Sequence, residues 1–313
     1  MVTDTILFGD CRETLKEFDG KARMCVTSPP YYGLRDYGGE EKQIGQEQTP
    51  EEYVQSLVEV FRSVRDVLAD DGTLWVNIGD SYYNYRPGKG QSYPKQSVSK
   101  TNQNLPQACS KRANKLEGLK EKDLIGIPWM LAFALRSDGW YLRQDIIWHK
   151  PNPMPESVRD RCTKSHEYIF LFSKSKKYFY DNEAIKEPVK QDWGTRDRTK
   201  GKYHNEGSGL QPHSGLTKSY TTKNKRSVWS VTNKPYKGAH FAVYPPDLIE
   251  PCIKAGSEEG DIVLDPFMGS GTTALVAKSL QRHYIGCELH EEYGKLIQKR
   301  LSEKSFARLK LDD

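Results

Sequence analysis

An acid, a proline and two glycines follow a short apolar run near the C-terminal end of the chain. The run is Ile-Val-Leu at positions 262–264. The residues that follow it are Asp265, Pro266, Phe267, Met268, Gly269, Ser270, Gly271, Thr272 and Thr273. Glycines let a ligand approach the backbone, and the start of a following helix offers free N–H groups at its positive end. The segment therefore predicts a loop that binds a nucleotide-like cofactor.

Three other interpretations compete for this loop. A P-loop needs a lysine after its second glycine and is excluded, because Thr272 follows Gly271. A purely structural turn explains one glycine, but not the acid, the proline and both glycines together. A dinucleotide site is the serious rival, since Gly269, Gly271 and Ala274 satisfy the relaxed fingerprint.

The charge of Asp265 separates the two remaining cofactor classes. A carboxylate just before the turn would repel a pyrophosphate, whereas it would attract the ammonium and sulfonium groups of S-adenosylmethionine. Glu288 ends the next strand-like run and would accept hydrogen bonds from ribose hydroxyls in either case. The sequence therefore favours S-adenosylmethionine as the cofactor.

A second motif, Ser28-Pro29-Pro30-Tyr31, follows the apolar run 24–27. Consecutive prolines supply no N–H donors, so nearby carbonyl oxygens have less competition for hydrogen bonds. An aromatic amine is a poor nucleophile, because its lone pair is delocalised into the ring. Acceptors at Ser28 and Pro29 would localise that lone pair, and Tyr31 would stack on a base that has left the duplex. A rigid turn at a strand end is the alternative for a lone Pro-Pro pair.

With both motifs, the chain resembles the DNA methyltransferases that modify cytosine N4 or adenine N6. The Ser28–Tyr31 motif matches their catalytic motif, and the Asp265–Thr273 segment matches their cofactor loop. By the same resemblance Glu288 is the ribose-binding acid, Asp10 contacts the cofactor adenine, and Phe241 borders the methionine moiety. The implied catalytic residues are Ser28, Pro29, Pro30 and Tyr31. The implied cofactor-binding residues are Asp10, Phe241, Asp265, Pro266, Phe267, Gly269, Ser270, Gly271, Thr272, Thr273 and Glu288; no metal site is expected.

The order of the motifs is that of the circularly permuted β-type enzymes, with the catalytic motif first. The resemblance implies an α/β fold: a doubly wound, mostly parallel, seven-stranded Rossmann-like sheet with one antiparallel strand and a polar target-recognition insertion. Residues 1–183 would hold the catalytic half with a loop insertion at 84–123. Residues 184–240 would recognise the target, and residues 241–313 would complete the same domain as its cofactor-binding half.

The elements that must position these motifs follow βαβ patterning. Apolar runs predict strands at 5–8, 24–27, 73–78, 144–148, 167–172, 261–265 and 284–287. Helices are predicted at 12–18, after a capping box at Thr49, and at 124–137, 246–255, 272–280 and 291–301. The helix that begins after Thr49 is expected to stop at Asp70-Asp71-Gly72.

The basic excess of the chain lies in residues 184–240. This block has twelve basic and four acidic residues, whereas the whole chain of 313 residues has a formal net charge of +5. Aromatic residues are interleaved with the cations, at Trp193, Tyr203, Tyr220, Trp229 and Tyr236. Cations for phosphates and aromatic faces for bases favour nucleic-acid contact over a solvated linker. Double-stranded DNA is therefore the expected partner; a homodimer and a cognate restriction endonuclease are further partners that the resemblance raises.

Other functional classes fit less well. No apolar run approaches the length of a membrane span, no secretory signal is visible, and the six cysteines form no C-x-x-C pair. A cytoplasmic, nucleoid-associated enzyme is expected. Pro251-Cys252 lies outside the position of a C5-methyltransferase nucleophile, and His166-Glu167 lacks a zinc-site partner, so both are interpreted as structural. A nucleic-acid-binding subunit without catalysis and an adenine-N6 enzyme remain alternatives to the preferred cytosine-N4 enzyme.

Overall fold

The strands and helices of a computed structural model are described for residues 3–33, 43–83, 116–189, 221–233 and 244–302. The strands are β1 (Thr5–Phe8), β2 (Ala22–Thr27), β3 (Leu68–Ile78), β4 (Tyr141–His149), β5 (His166–Ser173), β6 (Glu187–Pro188), β7 (Thr222–Lys223), β8 (Val228–Ser230), β9 (Ile262–Asp265) and β10 (His283–Glu288). The helices are α1 (Cys11–Thr14), α2 (Pro50–Val67), α3 (Ile127–Ser137), α4 (Pro246–Gly256), α5 (Thr272–Ser279) and α6 (Glu292–Ser302), with a short 3₁₀ turn at Leu15–Glu17.

Eight of the described strands form one sheet in the order β1-β10-β9-β2-β3-β5-β4-β8. Only β5 runs antiparallel to its neighbours among these eight. The predicted doubly wound, mostly parallel sheet with one antiparallel strand is confirmed. The strand count is corrected from seven to eight, because Val228–Ser230 pairs with β4.

The two central strands β9 and β2 mark the reversal of strand order. The chain leaves β9 through α5 to β10, and it leaves β2 through α2 to β3 on the opposite side. In open α/β sheets, ligands bind beyond the carboxyl ends of strands at such a switch point. Asp265 ends β9 and Thr27 ends β2, so both sequence motifs begin at this position.

Local sequence explains where α2 begins. The Thr49 side chain accepts a hydrogen bond from the backbone of Glu52 at 3.1 Å, and the Glu52 carboxylate accepts from the Thr49 backbone at 3.2 Å. Pro50 then occupies the first helical position, where a missing N–H costs nothing. The predicted capping box is confirmed, and the helically spaced apolar residues of α2 pack into the core.

The end of α2 differs from the prediction. The helix stops at Val67, and Asp70-Asp71-Gly72 lies inside β3 rather than in a turn. Arg23 of β2 binds Asp71 at 2.5 Å, and Lys174, directly after β5, lies 3.4 Å from the exposed Asp70. The pairing of β2 with β3 shifts register across these residues, between the pairs Ala22–Leu68 and Met24–Thr73, so Asp-Asp-Gly forms an irregularity within β3 instead of ending the helix.

The contacts divide the chain into two compact units, one of residues 1–180 and 227–313 and one of residues 181–226. Within the smaller unit, β6 and β7 pair antiparallel. The larger unit includes β8, and Asn152 and Asn233 exchange hydrogen bonds of 3.1 and 3.0 Å. Residues 227–233 therefore belong with the sheet, although the predicted target-recognition block extended from 184 to 240.

No helix within the described ranges combines the length and the apolarity needed to cross a membrane.

Candidate active site

The two motifs meet although 238 positions separate the residues that join them. Cys25 of β2 pairs in register with Leu264 of β9, which brings the ends of the two strands together. The Thr27 hydroxyl donates a buried hydrogen bond of 2.6 Å to Oδ1 of Asp265. Thr27 precedes Ser28 directly, so this bond fixes the catalytic motif against the cofactor loop.

Asp265 is the centre of a buried hydrogen-bond cluster at the switch point. It is 1% exposed and accepts from Thr27 at 2.6 Å, from the Phe267 N–H at 3.0 Å, from Thr273 at 2.5 Å and from the Tyr244 hydroxyl at 3.1 Å. Burial raises the pKa of Asp265, and the hydrogen bonds from Thr27 and Thr273 oppose that rise. Because a carboxylate has about four acceptor positions, these protein donors use most of its capacity.

The role expected for Asp265 was a direct charge contact with the cofactor. The hydrogen bonds indicate a second role, which is to hold the loop, the catalytic strand and Tyr244 in one arrangement. Sequence analysis missed Thr27 and Tyr244 as partners of Asp265, since neither lies near it in sequence. The direct contact with the cofactor stays a prediction.

The glycine turn has the backbone shape that the sequence indicated. Gly269 and Gly271 have φ angles of 53° and 80°, in the left-handed region that favours glycine. A Cβ atom at Gly271 would lie 3.0 Å from Ile297 of α6, so α6 packs closely on the turn. Helix α5 begins immediately afterwards at Thr272.

Thr272 carries an unsatisfied polar atom at the start of α5. Within the part of the chain that the structure describes, its Oγ1 is buried and has no hydrogen-bond partner. Ser270, by contrast, accepts a hydrogen bond of 2.6 Å from Arg300 of α6. A buried hydroxyl without a partner at a helix N-terminus fits a ligand that brings hydrogen-bonding groups.

Glu288 lies at the end of β10, beside the cofactor loop. Its carboxylate accepts from the Gly269 N–H at 2.8 Å and from the His290 N–H at 3.1 Å. Burial raises the pKa of Glu288 to about 7, against the opposing effect of these backbone hydrogen bonds. Phe8 pairs in register with Glu288 and leaves 40% of its surface exposed, which provides an apolar face next to the acid.

These features fit S-adenosylmethionine. The N–H groups at the start of α5 and the Thr272 hydroxyl suit a carboxylate, and Glu288 suits a ribose diol. The exposed ring of Phe8 offers a surface for a purine. When bound, this cofactor supplies an electrophilic methyl group; the protein holds it and aligns the acceptor.

The roles predicted for Asp10 and Phe241 in cofactor binding stay predictions. The Asp10 carboxylate caps α1 and binds Arg12 through hydrogen bonds of 3.0, 3.1 and 2.6 Å. Arg12 therefore accounts for both oxygens of the acid that was expected to contact adenine, and that contact stays a prediction. Phe241 lies outside the described residues.

The catalytic motif is rigid at its prolines. Pro29 is buried, and the carbonyl of Pro30 accepts a hydrogen bond of 2.7 Å from Tyr53 of α2. Among the described residues, no donor reaches the carbonyl of Pro29. Ser28 is half-buried beside it. The Ser28 side chain is hydrogen-bonded to the Tyr31 hydroxyl, and the role of the Ser28 and Pro29 oxygens as acceptors for an amine stays a prediction.

Tyr31 is held by residues that sequence analysis did not connect with it. Its hydroxyl donates to Glu167 at 2.7 Å. Asn77 donates to the same carboxylate oxygen at 3.2 Å, and Lys150 forms an ion pair with the other oxygen. Glu167 was interpreted as structural together with His166. Glu167 lies 136 positions after Tyr31, so no local sequence pattern could indicate this contact.

The remaining sequence candidates lie away from these acceptors. Cys252 is buried in α4, with its Sγ 3.7 Å from the Leu248 carbonyl oxygen, as expected for a structural residue. Among the described residues, no three His, Cys, Asp or Glu side chains are grouped to hold a metal ion.

The described parts of the basic block show that its charges and aromatics are not all available to DNA. Trp229 is 6% exposed in β8, so it is a core residue and its predicted role as an exposed aromatic is wrong. In the smaller unit, Glu187 lies 3.6 Å from Lys225 and 3.3 Å from Arg226. Trp193, Tyr203, Tyr220 and Tyr236 lie outside the described residues.

Comparison with known proteins gives matches over most of the chain. A family model described as DNA methylase matches residues 22–299. The chain is similar to the Type II methyltransferase M.SmaI of Serratia marcescens, with 48% identity over 297 residues, covering 95% of this chain and 90% of that protein. It is also similar to the Type II methyltransferase M.Cfr9I of Citrobacter freundii, with 46% identity over 95% of this chain and 87% of that protein.

Solved structures share the fold at lower sequence identity. The PvuII DNA methyltransferase (cytosine-N4-specific) has a TM-score of 0.62 at 19% identity and covers 99% of this chain and 91% of its own. The crystal structure of M1.HpyAVI has a TM-score of 0.56 at 20% identity, covering 96% of this chain and 99% of its own.

Proposed function

The chain belongs to the N6/N4 DNA methylase family, and we propose that within this family it methylates N4 of cytosine at a specific site in double-stranded DNA. The family expected from the two motifs is confirmed, as are the enzyme class and the cofactor. The protein is an S-adenosylmethionine-dependent DNA methyltransferase of the Type II restriction-modification class.

One observation carries the proposed chemistry: the catalytic motif follows Thr27, which is bonded to Asp265 where the cofactor loop begins. The bond between Thr27 and Asp265 places Ser28 directly beyond the junction of β2 and β9. The Ser28 oxygen and the Pro29 carbonyl would accept the two N–H groups of an exocyclic amine. That geometry would turn the nitrogen lone pair toward the methyl donor, because it draws the lone pair out of conjugation with the ring.

Serine at the first position of the motif supports cytosine as the target base. In the family that the chain resembles, cytosine-N4 enzymes typically have Ser there, whereas adenine enzymes typically have Asp or Asn. The structurally similar PvuII enzyme is described as cytosine-N4-specific, although at 19% identity that likeness concerns the fold. Adenine N6 is the alternative, since its amine needs the same pair of acceptors.

The recognition function is proposed for residues 184–240 without the sheet strand β8. Their basic excess and interleaved aromatics suit a duplex whose target base has been rotated out. The Type II relatives add a cognate restriction endonuclease as a proposed functional counterpart. A homodimer is proposed from the motif order, and action on bacterial DNA implies a cytoplasmic site of action.

Methylation of a plasmid in a host without other methyltransferases tests the proposal. Nucleoside mass spectrometry should detect N4-methylcytosine, and a Ser28→Ala variant expressed to the same level should give little of it. N6-methyladenine in place of N4-methylcytosine would overturn the target base and leave the family unchanged. Sequencing of the methylated positions would give the recognition site.

A further inference from the structure

We propose that Glu167 is a positioning residue that orients Tyr31 toward the target base. The inference rests on the proposed function, in which Tyr31 stacks on an extruded base beside Ser28. Glu167 lies outside the catalytic motif, on β5, and contacts it through the Tyr31 hydroxyl.

The ring of Tyr31 is fixed at two places. Its hydroxyl donates to Oε2 of Glu167 at 2.7 Å. Along the ring, a Cβ atom at Gly79 would lie 2.8 Å from Cε2 and 3.4 Å from Cδ2 of Tyr31, so only glycine permits this approach. The hydrogen bond to Glu167 fixes the hydroxyl end of the side chain, and the packing on Gly79 fixes one edge of the ring. Together the two contacts define the plane of the ring.

Glu167 is itself held by three donors. The Tyr31 hydroxyl and the Asn77 amide share Oε2, at 2.7 and 3.2 Å, and the Lys150 ammonium pairs with Oε1. Asn77 also donates to the Tyr168 carbonyl at 3.1 Å, which fixes its amide. Hydrogen bonds to a charged acceptor are stronger than neutral ones, so this carboxylate is a firm anchor.

Lys150 neutralises the charge of Glu167, and both side chains keep some contact with solvent. The side chains of Lys150 and Glu167 are 17% and 15% exposed. The Lys150 ammonium also lies 4.2 Å from the centroid of the Trp148 ring, a cation–π contact that limits its movement. Burial and the nearby Glu167 charge raise the pKa of Tyr31, so its hydroxyl stays protonated and continues to donate.

Glu167 therefore orients Tyr31 and takes no direct part in methyl transfer. Glu167 touches the reacting motif only through the phenol, and its oxygens are taken by donors from the protein. Loss of the anchor would free rotation of the Tyr31 ring, so that the base stacks in the wrong plane. A small misplacement of a substrate lowers turnover by about tenfold or more, while the cofactor loop stays intact.

A double-mutant cycle with Tyr31→Phe tests this inference. Glu167→Ala should lower kcat about tenfold with unchanged affinity for S-adenosylmethionine. Tyr31→Phe, which removes the anchored hydroxyl, should lower kcat similarly. Tyr31→Phe also removes the bond between the hydroxyl and Ser28, but both changes break the contact between Tyr31 and Glu167, so the double variant should be much faster than the product of the two losses predicts. Glu167→Gln keeps an acceptor for the phenol and should recover most of the wild-type rate.

Asp138→Asn provides the matched control. Its carboxylate is 14% exposed and paired with Arg62, and it lies at the end of α3, away from Tyr31. Its kcat should equal that of the wild type. Multiplying losses in the double variant, or a Gln variant as slow as the Ala variant, would overturn the inference.

A second measurement does not depend on methylation. Fluorine NMR with 3-fluorotyrosine at position 31 should show one ring environment in the wild type and averaged environments in Glu167→Ala. The same spectrum in both proteins would refute the anchor. If the wild-type enzyme fails to methylate cytosine but the spectra differ, the proposed target fails and the anchor stands.

Discussion

The cofactor side and the base side of the active site share one edge of the sheet but are stabilised differently. On the cofactor side, Asp265 is 1% exposed and bound by donors from β2, α5 and the Tyr244 hydroxyl. On the base side, Glu167 and Lys150 form an ion pair that is 15% and 17% exposed. The first arrangement is part of the core, whereas the second is partly exposed to solvent.

The difference has a functional meaning. A cofactor loop that belongs to the core binds its ligand in a preformed shape, so changes there should alter stability and binding together. A base site that is partly exposed should tolerate substitution without unfolding, so changes there should alter turnover alone.

The largest effect is expected from Asp265→Ala. The variant leaves Thr27, Thr273 and Tyr244 with unpaired buried groups, which costs about 2–4 kcal/mol of stability. It should also abolish binding of S-adenosylmethionine. Thermal unfolding and calorimetry measure the two losses. Asp261→Ala, directly before the same strand and paired with Arg23, should keep cofactor binding.

Asp265→Asn sharpens that result. The amide keeps the shape and can retain bonds with the hydroxyls, whose orientation is free to reverse. A folded Asn variant with weakened cofactor binding would support a direct role of the charge. Normal affinity in the Ala variant would instead contradict the assignment of the loop.

The second effect concerns turnover at the catalytic motif. Ser28→Ala should lower kcat about 10²-fold, since only one of the two acceptors for the amine would remain. Affinity for the cofactor and the melting temperature should hardly change, because Ser28 is half-buried. Ser279→Ala, whose hydroxyl donates to a carbonyl within α5, is the control. A large drop in stability for Ser28→Ala would break the proposed separation.

A third effect concerns DNA binding. Arg196→Gln with Arg198→Gln should weaken DNA binding and reduce the slope of log affinity against log salt by as much as about 0.9 for each phosphate that is no longer neutralised. Lys176→Gln with Lys177→Gln removes two exposed cations elsewhere and should leave the slope unchanged. Fluorescence anisotropy at several salt concentrations makes the measurement. Equal slopes in both double variants would remove the basis for recognition by residues 184–240.

The smallest effect is a pH dependence at Glu288. Its raised pKa of about 7 means that the carboxyl gains a proton as pH falls below neutrality. A ribose diol donates to the ionised form, so cofactor affinity should fall several-fold between pH 8 and pH 6 and binding should release protons. Calorimetry in buffers of different ionisation enthalpy measures both. Glu288→Gln should bind weakly with little pH dependence.

The same group affects the free protein with the opposite sign. Because its pKa is higher in the folded state than the usual 4.5, folding binds protons between the two values. The stability of the unliganded enzyme should therefore fall as pH rises from about 4.5 to 7. The melting temperature of Glu288→Gln should depend less on pH across this range, and equal pH dependence in the variant and the wild type would contradict the raised pKa.

Sequence reasoning succeeded where the information is local. Dense apolar runs predicted seven strands of the sheet, and Thr49, Pro50 and Glu52 predicted the start of α2. The positive φ angles of Gly269 and Gly271 match a turn whose residue types are adjacent in sequence. In each case the residues that determine the local structure lie within the same short segment that adopts it.

It failed where partners are distant. The contacts of Thr27 with Asp265 and of Tyr31 with Glu167 join residues 238 and 136 positions apart. Val228–Ser230 is too short for an apolar pattern, so neither β8 nor the burial of Trp229 could be predicted. These features depend on strand order, which propensity and periodicity do not specify.

Strand β8 also has a consequence for solubility. It covers β4 only at Ile147, Trp148 and His149. Among the described residues, the rest of that edge carries the exposed residues Arg143 and Asp145. Charged side chains on an edge strand discourage pairing with another chain. A short strand on one part of the edge and charges on the other thus protect this side of the sheet from aggregation.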